Sequence, residues 1–254
     1  MHDPGPGPTL APRVFAWGGA AAFAVSLAYF LYTYIVTFSE TASPSNAPWR
    51  AVAMDVGLFG LFAAHHSAFA RTRLRHWVAG LVSPDLERSV FVWVASLLLF
   101  AVCVLWVPLP GVAWEMTGAW RWIMGVPLLI GIWLTLRSAG IIDVWELAGI
   151  RQLSTADYRL PTPGRSQVPM PSGATEFKTS GPYGLVRHPI YLGWILVVFS
   201  VPTMTMTRLV FAVVSCLYLV VAIPFEERTI IATAGDGYRD YMRRVRSRLV
   251  PGVW

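Results

Sequence analysis

The sequence is short of charge. Only 13% of its 254 residues are Asp, Glu, Lys or Arg, about half the roughly 25% of an average globular chain. That is too little to cover the surface of a soluble domain of this size. Cysteine is scarcer still, with Cys103 and Cys216 alone. Two cysteines exclude a disulfide-built secreted scaffold, and by themselves they cannot supply a zinc site. Both sit inside apolar runs and read as core or lipid-facing residues. Lysine is almost missing: Lys178 stands against 19 Arg. There is no GxGxxG or GxxxxGK[ST] phosphate loop and no internal repeat. What is plentiful is apolar surface, 55% of residues including 12 Trp, and this excludes a disordered chain. An integral membrane protein remains.

A membrane helix needs about 20 apolar residues. Six stretches qualify: 14–39, 51–70 with Asp55 and the pair His65-His66 inside it, 90–107, 122–142 interrupted by Arg137, 190–207 and 209–225. The predicted fold is therefore all-α, a polytopic bundle of about six spans. Residues 1–12 form a Pro- and Gly-rich mobile tail, 13–142 the first four membrane helices, and 143–254 a C-terminal unit. The tail lacks a positive n-region, so the first span reads as a retained helix and not as a signal peptide.

Six spans put both termini on one side. That side holds 17 of the 20 basic residues, and the other holds only Arg50, Arg121 and Arg208. The positive-inside rule places the crowded side in the cytoplasm, as in a multi-pass protein of a bacterial inner membrane. The net charge of +6 is then a topology signal and requires no nucleic-acid partner. The long segments lie on the same side. They are 143–188, irregular and rich in Pro, Gly and Ser at 159–173, and 226–248, a helix leaving the membrane with a break at Gly235-Asp236-Gly237. Chemistry is expected at this face.

Three stretches there can carry it. In Ser180-Gly-Pro-Tyr-Gly-Leu-Val-Arg-His-Pro-Ile-Tyr-Leu-Gly193, the glycines and Pro182 mark a tight turn. Arg187-His188-Pro189 then opens span five, with proline where its missing N–H costs nothing. The N–H groups of a helix start can hold a carboxylate; the same stretch also reads as a membrane-entry turn with an interfacial Arg and Tyr. Glu226-Glu227 follows span six. Acids at a hydrocarbon boundary are costly unless paired or wetted, so this is either a solvated helix end or an acid facing a cationic ligand. Finally, Tyr238, Tyr241 and Val245 share a helical face. Arg243, Arg244, Arg246 and Arg248 beside them suit anionic lipid headgroups.

Together, GPYGLVRHPIYLG, the EE pair and Gly-x-x-Tyr-x-x-Tyr-x-x-x-Val resemble the isoprenylcysteine carboxyl methyltransferase and phospholipid methyltransferase superfamily of membrane enzymes. The resemblance spans about 177–251. It implies a methyltransferase core over 143–254 and a cytoplasmic pocket for S-adenosylmethionine. It assigns the cofactor to Tyr183, His188, Pro189, Ile190, Tyr191 and Glu226, with a contribution from 175–178. Arg187, Glu227, Tyr238 and Tyr241 stand in the same segments and are taken with them. The ligand's chemistry fits: a carboxylate can pair with its cationic groups, and Tyr rings can face a cation or adenine.

A second resemblance covers the rest. His66-Ser67 with Ala70-Arg71, Glu87-Arg88-Ser89, Trp145-Glu146-Leu147-x-Gly149-x-Arg151-Gln152 and Pro202-Thr203-Met204-Thr205 look like the methanethiol S-methyltransferase branch. It implies a small thiol such as methanethiol as acceptor, giving dimethyl sulfide. One departure agrees. Isoprenylcysteine enzymes carry an Arg one helical turn before the first Glu for the substrate carboxylate, and here that position is Ala222. A thiol reacts as thiolate, so a base or local positive charge should help; His66, Glu146 and Arg151 are the catalytic candidates, with His65 beside them. Asp55 is ionisable and intramembrane but falls in the outer half of its span. Two alternatives stand: an isoprenylcysteine carboxylate or other lipid acceptor, and a non-enzymatic haem-binding or assembly protein using His65, His66 and His188. No metal site is expected. The expected partners are the lipid bilayer and a small apolar thiol or lipid acceptor, and the oligomeric state is not set by the sequence.

Overall fold

The structure is a computed structural model that describes residues 10–44, 46–69, 77–78, 80–82, 86–142, 150 and 180–254. Glu146, Arg151, the 175–178 segment, the loop over 151–178 and the first nine residues lie outside the described residues. The helices that position the site and its scaffold are α1 (Leu10–Ile35), α2 (Pro48–Phe69), α3 (Glu87–Leu105), α4 (Ala119–Ile123), α5 (Gly125–Ile142), α6 (Pro189–Phe199), α7 (Met206–Ala234) and α8 (Asp236–Arg244). Two short strands, β1 (Val112–Glu115) and β2 (Thr203–Thr205), pair antiparallel with Trp114 opposite Met204. The fold is the all-α membrane bundle expected. α1 begins at Leu10, inside the predicted tail, with Pro12 in a first turn that needs no proline N–H.

The span count is corrected in one place. Four described segments are long and apolar enough to cross a membrane: Leu10–Ser39, Glu87–Leu105, Ala119–Ile141 and Met206–Ala234. At 22 residues α2 has the length, but carries Arg50, Asp55 and two histidines. The run 190–207 is not one span. Its helix α6 has 11 residues, about 16 Å at 1.5 Å per residue, half of a roughly 30 Å hydrocarbon core. Pro202 explains the stop, since it disfavours helix at the residue before it. The chain then turns into β2, whose ladder with β1 satisfies backbone groups that lipid could not.

At one end Thr205 Oγ1 donates to Phe38 O, Thr207 Oγ1 accepts from Leu109 N at 2.8 Å, and Met116 N donates to Pro202 O at 2.9 Å. The ends of α1 and α3 and the start of α7 therefore meet there. Arg208 clamps this end. Its guanidinium donates to Tyr34 O at 3.0 Å, Ile35 O at 2.6 Å and Thr203 O at 2.7 Å, and so caps the negative C-terminus of α1. Asp55 is buried at the same end, where Oδ1 accepts from Val107 N at 2.8 Å. Both are bonded into the scaffold, far from the other face.

Two contacts hold the helices in place. Phe211 of α7 is 1% exposed and is ringed by Phe30, Tyr34, Phe38, Phe59 and Trp106, with centroids 5.3–5.9 Å away. This one side chain ties α1, α2 and the end of α3 to α7. α5 and α6 instead meet backbone to backbone. A Cβ on Gly131 would stand 2.8 Å from Gly193 O, and one on Gly193 2.8 Å from Gly131 O. Small residues that allow such an approach drive packing where no hydrophobic gain separates helix from lipid. The crossing fixes the start of α6, which carries the motif.

Candidate functional site

The site lies at the end opposite Arg208, where α6 starts and α7 leaves the bundle. Gly181 has φ +62°, a conformation glycine adopts without strain, and starts the 3-10 turn Gly181–Gly184. The chain then runs beside the C-terminal segment. Arg187 N donates to Ser247 O at 3.0 Å and His188 N to Arg248 O at 2.9 Å. Pro189 follows as the first helical residue. Tyr191 N and Leu192 N both return to His188 O at 3.1 Å. Among the described residues this leaves Ile190 as the one N–H of the opening turn still available. The expectation of a general carboxylate site at this helix start narrows to that group.

The two acids divide sharply. The Glu227 side chain is 4% exposed. Its Oε1 accepts from Arg187 Nε at 2.7 Å and faces His188 Nε2 at 3.4 Å; its Oε2 accepts from Arg248 Nε at 3.0 Å. Arg187 also donates through Nη1 to Val245 O at 2.8 Å and Arg246 O at 2.6 Å. Arg187 and Glu227 are thus spent on joining α6, α7 and the C-terminal segment. The Glu226 side chain, by contrast, is 40% exposed. Its Oε2 accepts from Tyr191 OH at 2.8 Å and stands 3.7 Å from His188 Nδ1. Among the described residues its other oxygen has no partner. His188 lies between the acids, its ring stacked on Tyr191 at 5.4 Å and 15°.

The tyrosines divide as well. Tyr238 and Tyr241 are each 3% exposed and pack with Ile230 and Val245, so they fasten α8 against α7. Tyr241 OH donates to Tyr183 O at 2.8 Å, which sets the GPY turn against α8. Tyr183 and Tyr191 keep half-buried rings. Burial raises the phenols of Tyr183, Tyr238 and Tyr241 above the ordinary tyrosine range, so they stay neutral donors. Arg248, expected at lipid headgroups, instead pairs with Glu227 and covers the Trp254 ring at 5.3 Å.

The residues brought together are therefore Tyr183, His188, Pro189, Ile190, Tyr191 and Glu226, supported from behind by Arg187, Glu227, Arg248, Tyr238 and Tyr241. His66 stands apart, on the last turns of α2, with its ring 5.9 Å from Phe62 and 5.4 Å from Phe91. Sequence reasoning missed Tyr218. Its OH lies 3.3 Å from Ser67 Oγ of α2, and only the helical spacing of 218, 222 and 226 hints at it.

No family model and no solved structure matches the chain. Curated proteins do. The chain is 35% identical over 249 residues to methanethiol S-methyltransferase 2 of Bradyrhizobium diazoefficiens, covering 96% of this chain and 92% of that one. It is 35% identical over 240 residues to the methanethiol S-methyltransferase of Mycobacterium tuberculosis, covering 92% and 94%. Nurim of Pan troglodytes is 31% identical over 176 residues, 66% of this chain and 63% of its own. With 35–36% identity to such enzymes over more than nine-tenths of its length, the chain belongs to the methanethiol S-methyltransferase family.

Proposed function

We propose that this membrane enzyme transfers a methyl group from S-adenosylmethionine to methanethiol, at the cytoplasmic end of the bundle. The observation that carries the reading is the division between the two acids. Glu227 is saturated by protein cations, whereas Glu226 offers a partly exposed oxygen beside the Tyr183 and Tyr191 rings. A carboxylate between aromatic faces suits a ligand with ammonium and sulfonium charges and an adenine. The residues present fit the cofactor. When bound, it supplies an electrophilic methyl on a sulfonium that becomes a neutral thioether as the acceptor sulfur takes the carbon.

The chain's own residues do the rest. Glu226 holds a cationic group, and Tyr191 fixes the Glu226 carboxylate by donating to it. Tyr183 and Tyr191 present ring faces, and Ile190 N–H is free for an anionic group. A ring nitrogen of His66 receives the proton of the acceptor's S–H, with Glu146 and Arg151 as further candidates for charge in the acceptor's surroundings. Ala222 gives a carboxylate acceptor no guanidinium partner, so a neutral thiol is favoured over a prenylcysteine. The 17-to-3 basic bias supports cytoplasmic termini in an inner membrane.

The test is calorimetry with S-adenosylhomocysteine on detergent-purified protein, paired with headspace detection of dimethyl sulfide from methanethiol. Binding weakened about ten- to hundredfold in Glu226→Ala, with loss of product, is the expected result. Equal binding in wild type and Glu226→Ala would overturn the placement, and no binding to wild type would overturn the enzyme reading.

A further inference from the structure

The methyl-transfer reading leaves the acceptor without a place to sit, and one pair of side chains has no role in it. Ser67 of α2 and Tyr218 of α7 face each other across the bundle with their hydroxyls 3.3 Å apart. That is long for an O–H···O bond, whose usual length is roughly 2.7–2.8 Å. Among the described residues neither hydroxyl has another partner. Each carries one donor, so one O–H of the two is left without a protein acceptor. A half-buried donor left unmet costs free energy that is recovered when an acceptor arrives. Both residues are half-buried, so a small molecule can reach them.

The surroundings define what that molecule is. The Tyr218 ring lies edge-on to Phe59 at 6.1 Å, Phe59 packs on Phe62 at 5.6 Å, and Phe62 on His66 at 5.9 Å. The wall beside the hydroxyls is therefore aromatic and apolar, with an imidazole at its edge. Tyr218 stands two helical turns before Glu226 on α7. It thus lies on the bundle-interior side of the carboxylate. A methyl group suits the aromatic wall, and a sulfur suits the hydroxyl.

We propose that Tyr218 and Ser67 are the acceptor-positioning pair of this enzyme, Ser67 donating to the Tyr218 oxygen and Tyr218 donating to the thiol sulfur. The phenol is the stronger acid of the two and hence the better donor to a developing thiolate. The pair adds nothing to cofactor binding. The inference rests on the methyl-transfer reading above, and its test separates the two.

The experiment compares wild type, Tyr218→Phe, Ser67→Ala and the double variant in detergent. KM for methanethiol and Kd for S-adenosylhomocysteine are measured on each. Tyr218→Phe keeps the ring on Phe59, so the packing survives. Loss of one hydrogen bond is expected to raise KM about three- to tenfold with cofactor-product affinity unchanged. Ser67→Ala is expected to raise KM less, and the double variant no more than Tyr218→Phe alone, because Ser67 acts through Tyr218. An unchanged KM in Tyr218→Phe would overturn the inference. So would a KM rise matched by an equal loss of S-adenosylhomocysteine affinity. Wild type that binds no S-adenosylhomocysteine would instead refute the underlying function.

Discussion

Glu226 and Glu227 are adjacent in sequence, and the structure gives them opposite fates, so replacing each in turn separates their roles. Take Glu227→Ala first. It removes the acceptor of Arg187 Nε at 2.7 Å and of Arg248 Nε at 3.0 Å, and the neighbour of His188 at 3.4 Å. Breaking a buried ion pair from one side costs about 3–5 kcal/mol. Arg248 is 31% exposed and water can replace its bond, while Arg187 is 5% exposed and is stranded. The lower end, about 3 kcal/mol, is therefore expected. At about 2–4 °C per kcal/mol for a chain of this size, the midpoint of thermal unfolding should fall by about 6–12 °C. Glu226→Ala loses one bond from Tyr191 and should leave that midpoint nearly unchanged. Its effect belongs to the ligand: a charge-assisted hydrogen bond of about 1.5–3 kcal/mol corresponds to about a ten- to hundredfold weaker Kd for S-adenosylhomocysteine. The assay is a thermal scan and a calorimetric titration on the same two variants. A large drop in unfolding midpoint for Glu226→Ala with full ligand affinity, or the reverse pattern for Glu227→Ala, would refute the assignment.

Three other perturbations bear on the scaffold and its orientation. Arg208→Met should lower stability by at least about 2 kcal/mol, because the Tyr34, Ile35 and Thr203 carbonyls lose their donor; in surviving protein S-adenosylhomocysteine affinity should be intact, and a specific loss of that affinity would contradict a site at the far end. Gly193→Ala places a Cβ 2.8 Å from the Gly131 carbonyl, which cannot swing aside like a side chain, so a cost of about 1–3 kcal/mol is expected, read as reduced yield and a lower unfolding midpoint. Fluorescent-protein fusions at both termini should report a cytoplasmic location, and a periplasmic signal at either would reverse the topology argued from the arginines.

What could be read from the sequence and what could not follow from the range of the interactions. The apolar runs are local signals, and the all-α membrane bundle follows from them. The end of α6 was not visible, because 190–207 is uniformly apolar and hydropathy does not register where Pro202 halts a helix. The strand that replaces the missing turns depends on β1, some ninety residues earlier. The RHP and EE motifs were both visible as motifs. Their internal division was not, because successive helical residues differ by about 100° in direction and the partners decide which direction is dry. Glu227 turns toward Arg187, 40 residues back, and Arg248, 21 residues on, while Glu226 turns toward Tyr191. Burial of Tyr238 and Tyr241 was likewise a matter of which face of α8 meets α7.

The same physical reason explains why arginine, and not lysine, dominates this chain at its working positions. Arg187 serves Glu227 and two carbonyls at once, and Arg208 serves three carbonyls at the opposite end. A guanidinium offers five donors in a fixed fork, while an ammonium offers three on a flexible stem and is more strongly hydrated. In a protein with so few charges, each buried cation must satisfy several acceptors to offset its desolvation. Arg187→Lys should therefore behave as a loss and not as a conservative change. Nζ can reach Glu227, but the Val245 and Arg246 carbonyls lie along a different arm of the fork. The C-terminal segment should loosen from α6, His188 should lose its fixed place between the acids, and S-adenosylhomocysteine affinity should fall together with the unfolding midpoint. A lysine variant with both values at the wild-type level would show that charge alone, without the fork, holds the site.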